Sequence, residues 1–216
     1  MKDIVLIGAS GYVGSAILQE ALDRGMKVTA AVRNPDKITE THPNLIVVKV
    51  DVSSKESVVD LCKGKDAVIS AYNPGWTNPD IYEETLKNYP IIIEGVKEAG
   101  VNRLLIVGGA GTLYIAPGKR LIDSGQVPMD IQPGVKSLGM VYLNYLLPEK
   151  ELDWVFLSPS ASLFPGKRTG KFRIGKDDIL VGPTGESSIS VEDYAMAMID
   201  ELENPKHHRE RFTVGY

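Results

Sequence analysis

Ile4-Val5-Leu6-Ile7-Gly8-Ala9-Ser10-Gly11-Tyr12-Val13-Gly14 is the stretch that decides the fold of this chain. Four apolar residues read as a strand. The glycine-rich turn follows, and Ser15-Ala16-Ile17-Leu18-Gln19-Glu20-Ala21-Leu22 continues as a helix. Strand, glycine turn and helix in that order make a dinucleotide phosphate site. The backbone turns tightly at Gly8, lets a pyrophosphate approach at Gly11 and brings helix and strand together at Gly14. The first helical N–H groups then face the anion. The spacing is G-x-x-G-x-x-G, and a chain with 21 glycines offers many triplets. Its weight comes from context, directly after a strand and at the opening of a helix.

Outward from that turn, strand and helix patterns alternate. Helix is expected over 12–24, ended by Gly25, and a strand over 27–32. A third strand, over 45–50, is nearly all apolar, as if buried on both faces. A short helix over 55–63 takes Ser53 or Ser54 as its cap. Strands follow at 66–70, 103–107 and 153–157, with helices at 80–99, interrupted near Pro90, and at 135–147. The alternation predicts an α/β fold, a doubly wound parallel sheet of the Rossmann type. Beyond Leu157 the texture becomes rich in glycine and proline. Residues 158–190 read as a small loop-rich carboxy-terminal cap with short strands at 171–174 and 179–181. A helix over 191–202 and a strand over 211–214 close the chain. Gly108–Gly134 is a second long glycine- and proline-rich stretch, of the kind that forms lids or binding loops.

Length and composition fit one compact domain spanning 1–216. Apolar residues make up 43% and charged residues 24% of the 216 positions, and the formal net charge is −4. That balance gives no general attraction to nucleic acid or an anionic membrane. No apolar run approaches the ~20 residues of a membrane helix. Met1-Lys2-Asp3 leads straight into a strand, without the basic start and longer apolar stretch of a cleavable signal. Cys62 is the one cysteine and reads as a small core residue on a helix. A cytoplasmic protein is therefore expected. The oligomeric state is left open between monomer and homodimer.

The end of the second strand discriminates between dinucleotides. An acidic residue there selects NAD, whereas a basic one accommodates the 2′-phosphate of NADP. Here the strand runs into Arg33, whose guanidinium donates paired, permanently charged hydrogen bonds. NADP(H) is thus expected in preference to NAD(H). Asp51-Val52, after the third strand, can flank an adenine, or Asp51 can simply close a turn.

With these residues in hand, the chain resembles the atypical short-chain dehydrogenase/reductases. The likeness is to their compact NAD(P)H-binding group, which includes NmrA-like, NADH-flavin reductase-like and biliverdin reductase B-like proteins. Such sequences are often labelled NAD-dependent epimerase/dehydratase. The likeness rests on Gly8–Gly14, Arg33-Asn34-Pro35, Asp51-Val52, Gly108-Gly109-Ala110-Gly111 and Leu157-Ser158-Pro159. Ile189–Ala195 and Phe212–Gly215 extend it over the whole chain. It implies that Gly8, Ser10, Gly11, Tyr12 and Val13 hold the pyrophosphate, and that Arg33 meets the 2′-phosphate. Asp51 and Val52 would flank adenine, and Ala71, Tyr72 and Asn73 would line a ribose. Gly108 and Gly109 would form the exit of the fifth strand, and Ser158, Pro159 and Ser160 would border the nicotinamide.

The catalytic pattern departs from the wider family. Its tyrosine, which moves a proton at the carbonyl oxygen, is followed four residues later by a lysine that lowers its pKa. None of the nine tyrosines has that lysine, and Gly109 occupies the expected serine position. Reducing a flavin or similar conjugated acceptor needs mainly an oriented hydride donor, with solvent supplying the proton. An NADP(H)-dependent reductase of a small conjugated acceptor, flavin reductase-like, is the leading expectation. Its alternatives are an NmrA-like dinucleotide-binding regulator and, last, a sugar-nucleotide epimerase or dehydratase. Thr112 and Tyr114 are the candidate catalytic groups on the acceptor side, and Trp76 could stack on an acceptor ring or equally serve as a packing aromatic. Thr112 could equally cap its loop. Lys167, Arg168, Lys171, Arg173 and Lys176 form a basic run that reads as a solvated face or a seat for an anionic acceptor. His207 and His208 diverge too much to chelate a metal, so no metal is expected.

Overall fold

The computed structural model describes residues 2–216. The first half runs β1 (Asp3–Ile7), α1 (Tyr12–Asp23), β2 (Lys27–Val32), β3 (Leu45–Lys49), α2 (Lys55–Cys62), β4 (Ala67–Ser70), α3 (Ile81–Glu98) and β5 (Arg103–Val107). The second half adds β6 (Tyr114–Ala116), β7 (Lys119–Arg120), α4 (Gln132–Val141), β8 (Asp153–Ser158) and β9 (Ser162–Phe164). It ends with β10 (Arg173–Gly175), β11 (Ser188–Ser190), α5 (Val191–Glu203) and β12 (Glu210–Gly215). Eight strands form one sheet in the order β3-β2-β1-β4-β5-β8-β12-β10. All its pairings are parallel except that of β10 with β12. This is the doubly wound fold that the alternating pattern predicts. Strand order reverses between β1 and β4, which opens a crevice at the carboxyl ends of the strands.

The continuous apolar character of the central strands follows from burial on both faces. Ile4 and Leu6 of β1 enter a core shared with α1 and α5, while Val5 and Ile7 enter the core beneath α2, α3 and α4. Trp154 and Phe156 of β8 lie in the second core, and Val155 and Leu157 in the first. Cys62 is fully buried in the second core, and burial pushes its thiol up to about 12.

Several expected elements differ. β3 is the sheet edge, not a strand buried on both faces: Ile46 is 61% exposed. Nothing pairs beyond β3, so its apolar run overstates its burial. α3 passes unbroken through Pro90. Tyr89, Ile92 and Ile93 are buried there, and that packing outweighs the missing backbone donor. α4 starts at Gln132, earlier than expected, and continues as a π-helical turn over Tyr142–Leu146. In the cap, residues 179–181 form no strand. Instead β9 and β11 pair in parallel and β10 joins the main sheet. The Gly108–Gly134 stretch holds the small β6–β7 hairpin.

Candidate functional site

The glycine turn is built by close backbone contacts. Gly8 N–H donates to Ala31 O at the end of β2 (2.9 Å), and Gly11 N–H donates to Gly8 O (3.0 Å). A Cβ on Gly8, which has φ +80°, would lie 2.5 Å from Ala71 O, and one on Gly14 would lie 2.1 Å from Gly8 O. These two glycines are therefore required by the protein's own backbone. Gly11 differs: its Cβ would meet only Gly8 O, at 3.3 Å. That is a tight contact, but one that a shift of a few tenths of an ångström relieves, unlike those at Gly8 and Gly14. Gly11 is also the N-cap of α1, and among the described residues no side chain caps that helix and no acidic residue lies in its first turn. By contrast, Ser54 and Ser190 cap α2 and α5. The leading N–H groups of α1 are thus left for an anion.

Around this turn the parallel strands deliver the other candidates to one edge. Arg33 leaves β2, is exposed, and donates from Nη2 to Pro74 O in the loop after β4 (3.1 Å). Its guanidinium thus bridges the two strand exits on either side of β1. Asp51 accepts at Oδ1 from the N–H (2.9 Å) and hydroxyl (2.7 Å) of Ser53. These bonds hold its carboxyl below the ordinary carboxylate range. Asp51 thus closes its own turn, and Val52 beside it is buried. Asn73 does the same by accepting from Gly75 N–H (2.7 Å). Tyr72 is half-buried. Its hydroxyl accepts from Asn88 Nδ2 (2.6 Å), and its carbonyl accepts from the Tyr89 hydroxyl (3.1 Å). Ala71 backs onto Gly8. Ser10 is half-buried, Tyr12 is 52% exposed, and Val13 packs on the first core.

At the other half of the edge, a Cβ on Gly108 would meet Phe156 Cε1 at 2.6 Å, while one on Gly109 would only touch Leu138 Cδ2, at 3.4 Å. Ser158, at the end of β8, is fully buried, and its hydroxyl has no hydrogen-bond partner among the described residues. Buried hydroxyls are rarely left without a partner. Pro159 beside it is buried. Ser160 is committed elsewhere: its hydroxyl donates to Val214 O (2.9 Å), tying the strand exit to β12.

The two acceptor-side candidates are not free side chains projecting into the crevice. Thr112 is 5% exposed, and its Oγ1 accepts from Arg211 Nη1 (2.7 Å). Tyr114 sits on β6 under the Arg120 guanidinium, 5.9 Å from its ring centroid. It borders a shallow groove of about 450 Å³ shared with Pro117, Ile179 and Val181. Trp76 is 53% exposed and lies against Gly134, where a Cβ would come within 2.7 Å of its ring.

The basic run does not gather into one patch. Arg168 pairs with Glu20 (2.7 Å) and Lys176 with Glu210 (2.8 Å). Arg173 donates to Val181 O (2.7 Å) and to Tyr216 O. His207 pairs with Glu201 (2.7 Å) and His208 with Asp153 (3.0 Å). These partners surround Arg103 and Asp153, which open β5 and β8 at the end of the sheet away from the crevice. Among the described residues no group of three or more His, Cys, Asp or Glu could hold a metal.

Three structural residues escaped the sequence reading. Tyr194, fully buried, donates to Leu157 O (2.7 Å) and props the exit of β8. Asp193 accepts from the N–H groups of Thr169 and Gly170 and from the Tyr216 hydroxyl. The Ser190-x-x-Asp193 spacing signals the helix start but not this second task. Arg211 is the third. It looks like a strand-end arginine in sequence, yet it is 3% exposed.

A crevice at a topological switch point, with a glycine turn feeding an unguarded helix start, defines a dinucleotide-binding protein. The chain matches the family described as NAD(P)H-binding over residues 8–205, and it belongs to that family. It is 40% identical over 214 residues to YwnB of Bacillus subtilis, an uncharacterised protein, covering 98% of this chain and 97% of that one. A Bacteroides thetaiotaomicron structure described as a "putative epimerase" is 64% identical, with a TM-score of 0.95, and covers 100% of this chain and 97% of that one. A Streptococcus pneumoniae structure described as "a putative NADH-flavin reductase" is 32% identical, with a TM-score of 0.86, over 100% and 99% of the two chains. The likeness to the atypical short-chain group thus holds.

Proposed function

We propose that this protein is an NADP(H)-dependent reductase that passes a hydride to a small conjugated acceptor, in the manner of a flavin reductase. The observation that carries it is the Gly8–Gly14 turn opening onto the uncapped start of α1 at the switch point. In this assignment Gly8, Ser10, Gly11, Tyr12, Val13 and Gly14 cradle the pyrophosphate. Arg33 takes the 2′-phosphate, and its permanent charge and planar donors suit that group. Tyr72 and Asn73 face a ribose, and Val52 and Asp51 edge the adenine. Gly108, Gly109 and Ser158 border the nicotinamide, where the Ser158 hydroxyl lacks a protein partner.

When bound, the reduced dinucleotide supplies a hydride, two electrons and one proton's worth of hydrogen. The acceptor takes that hydride and one further proton from solvent. No tyrosine is followed four residues later by lysine, so the chain carries no built-in proton relay of that kind. Its residues work by holding two rings in contact and orienting them. The flavin named in the description of the Streptococcus neighbour fits such a site. The epimerase description of the Bacteroides neighbour fits less well, because that chemistry leans on the tyrosine acid–base. One domain spanning 1–216 and a cytoplasmic setting are part of the same proposal. Among the described residues no helix is long and apolar enough to cross a membrane.

The test is oxidation of NADPH and NADH, followed by absorbance, with riboflavin, FMN and a quinone as separate acceptors, beside incubation with UDP-sugars, whose redox-neutral conversion is followed by product analysis. Turnover with flavin or quinone, faster with NADPH, is the expected outcome. Tight NADPH binding without turnover on any of them would overturn the reductase assignment in favour of a dinucleotide-sensing regulator.

A further inference from the structure

Two loops border the acceptor side, one after β5 and one after β10, and a single buried side chain joins them. Arg211, on β12, donates from Nη1 to Thr112 Oγ1 (2.7 Å) in the first loop. From Nε and Nη2 it donates to Asp177 Oδ1 (3.1 and 2.6 Å) in the second. The two loops are also stitched directly. Tyr114 N–H donates to Asp177 O, and Ile179 N–H donates to Tyr114 O, each at 2.9 Å. Arg211 further lies over the ring of Tyr142, 4.7 Å from its centroid, at the π-helical turn that ends α4. With 3% exposure, the guanidinium is removed from water, and every polar bond it makes is to one loop or the other.

From this geometry we infer that Arg211 is the positioning residue of the acceptor side. It holds Thr112 and, through Asp177, Tyr114 in fixed relation to the Gly108–Gly109 exit of β5. The inference rests on the reductase assignment for its kinetic meaning, but the clamp itself is readable without turnover. Its planar fork is what allows one side chain to serve two loops. A lysine carries the charge and three donors, but they radiate from one compact atom and lack the wide planar fork that spans Thr112 and Asp177. None of the guanidinium's bonds goes to Gly11 or Arg33 at the cofactor-phosphate end of the crevice, so the effect is expected at the acceptor.

The test compares the wild type with Arg211→Lys and Arg211→Met, each first checked for a cooperative melt. NADPH affinity is read by fluorescence, and acceptor kcat and KM with whichever flavin or quinone turns over. Hydrogen exchange is followed over residues 110–120 and 174–181. In both variants NADPH affinity is expected to stay within about twofold, while kcat/KM for the acceptor falls roughly 10- to 100-fold, as for a misplaced reacting pair. Lysine should rescue only part of that loss. Exchange should speed up in both loops together, with the β1–β5 strands unchanged. Loss of protection in one loop alone, or unchanged protection in both, would overturn the clamp. So would an NADPH affinity that falls in step with acceptor kinetics. If the wild type turns over no acceptor, the reductase assignment fails, and the exchange experiment still decides the clamp.

Discussion

Gly14 and Gly11 differ by one physical fact, and it separates folding from binding. A methyl group at Gly14 would press within 2.1 Å of Gly8 O, whereas one at Gly11 meets nothing nearer than 3.3 Å. Gly14→Ala is expected to destabilise the fold by about 1–3 kcal/mol, as overpacking does, visible as a lowered melting midpoint without ligand. Gly11→Ala should keep most of that midpoint yet lose dinucleotide affinity. A titration of both variants with NADPH checks the pair. Arg33→Ala removes a charged donor, typically about 1.5–3 kcal/mol. NADPH affinity should fall roughly 10- to 100-fold while NADH affinity barely moves. Equal losses for both dinucleotides would assign Arg33 to the Pro74 contact instead. The glycine turn was legible in sequence because its geometry follows from backbone space within one βαβ unit. The settings of Thr112 and Ser160 were not. Their hydroxyl partners, Arg211 and Val214, lie 99 and 54 residues away along the chain.

Among the elements, α5 joins distant parts of the chain at both ends. At its carboxyl end Glu201 is 4% exposed, accepts from Arg103 Nη2 (2.6 Å) and from the N–H groups of Lys206 and His207, and contacts His207 Nδ1 (2.7 Å). Burial pushes its carboxyl up, but the bonds from the His207 ring and backbone, and from Lys206, outweigh it and hold the group below its ordinary value of 4.5. A depressed folded-state pKa adds stability that is present above the unfolded pKa and fades as pH falls through the folded value. This contribution should therefore be constant above the ordinary carboxylate range and be lost as pH falls below it, lowering the melting midpoint. Glu201→Gln, which leaves Arg103 buried beside a neutral group, should lower the midpoint near neutral pH and flatten part of the acid slope. A slope unchanged in that variant would assign acid sensitivity to other carboxylates. Element type was readable wherever periodicity was strong, as in β2, predicted to the residue. Among the misses were the burial of β3, whose edge position no apolar run can reveal, the strand expected over 179–181, and the break expected in α3, where packing of Tyr89, Ile92 and Ile93 carries a helix through Pro90.

The whole molecule is held together by long-range ties between its halves. Arg24 at the end of α1 pairs with Asp200 and Glu203 of α5 (2.7 and 2.6 Å), and Glu20 of α1 receives Arg168 from the cap. The cap also contributes β10 to the main sheet. Unfolding should therefore be one cooperative transition, with far-UV circular dichroism and tyrosine–tryptophan fluorescence coincident. NADPH at 100 times its dissociation constant should add about 2.7 kcal/mol, a rise of roughly 5–10 °C for a domain of this size. Separate transitions for the cap and the sheet would contradict the single-domain assignment. The amino-acid sequence by itself determined the doubly wound class, the dinucleotide turn and the missing tyrosine–lysine pair. Each depends on residues close together in the chain, or on residue identity alone. Only the tertiary structure decided which loops stand together, which hydroxyls are spent and which arginine is buried. Those outcomes depend on which distant segment covers a given strand face, and local sequence carries no record of that.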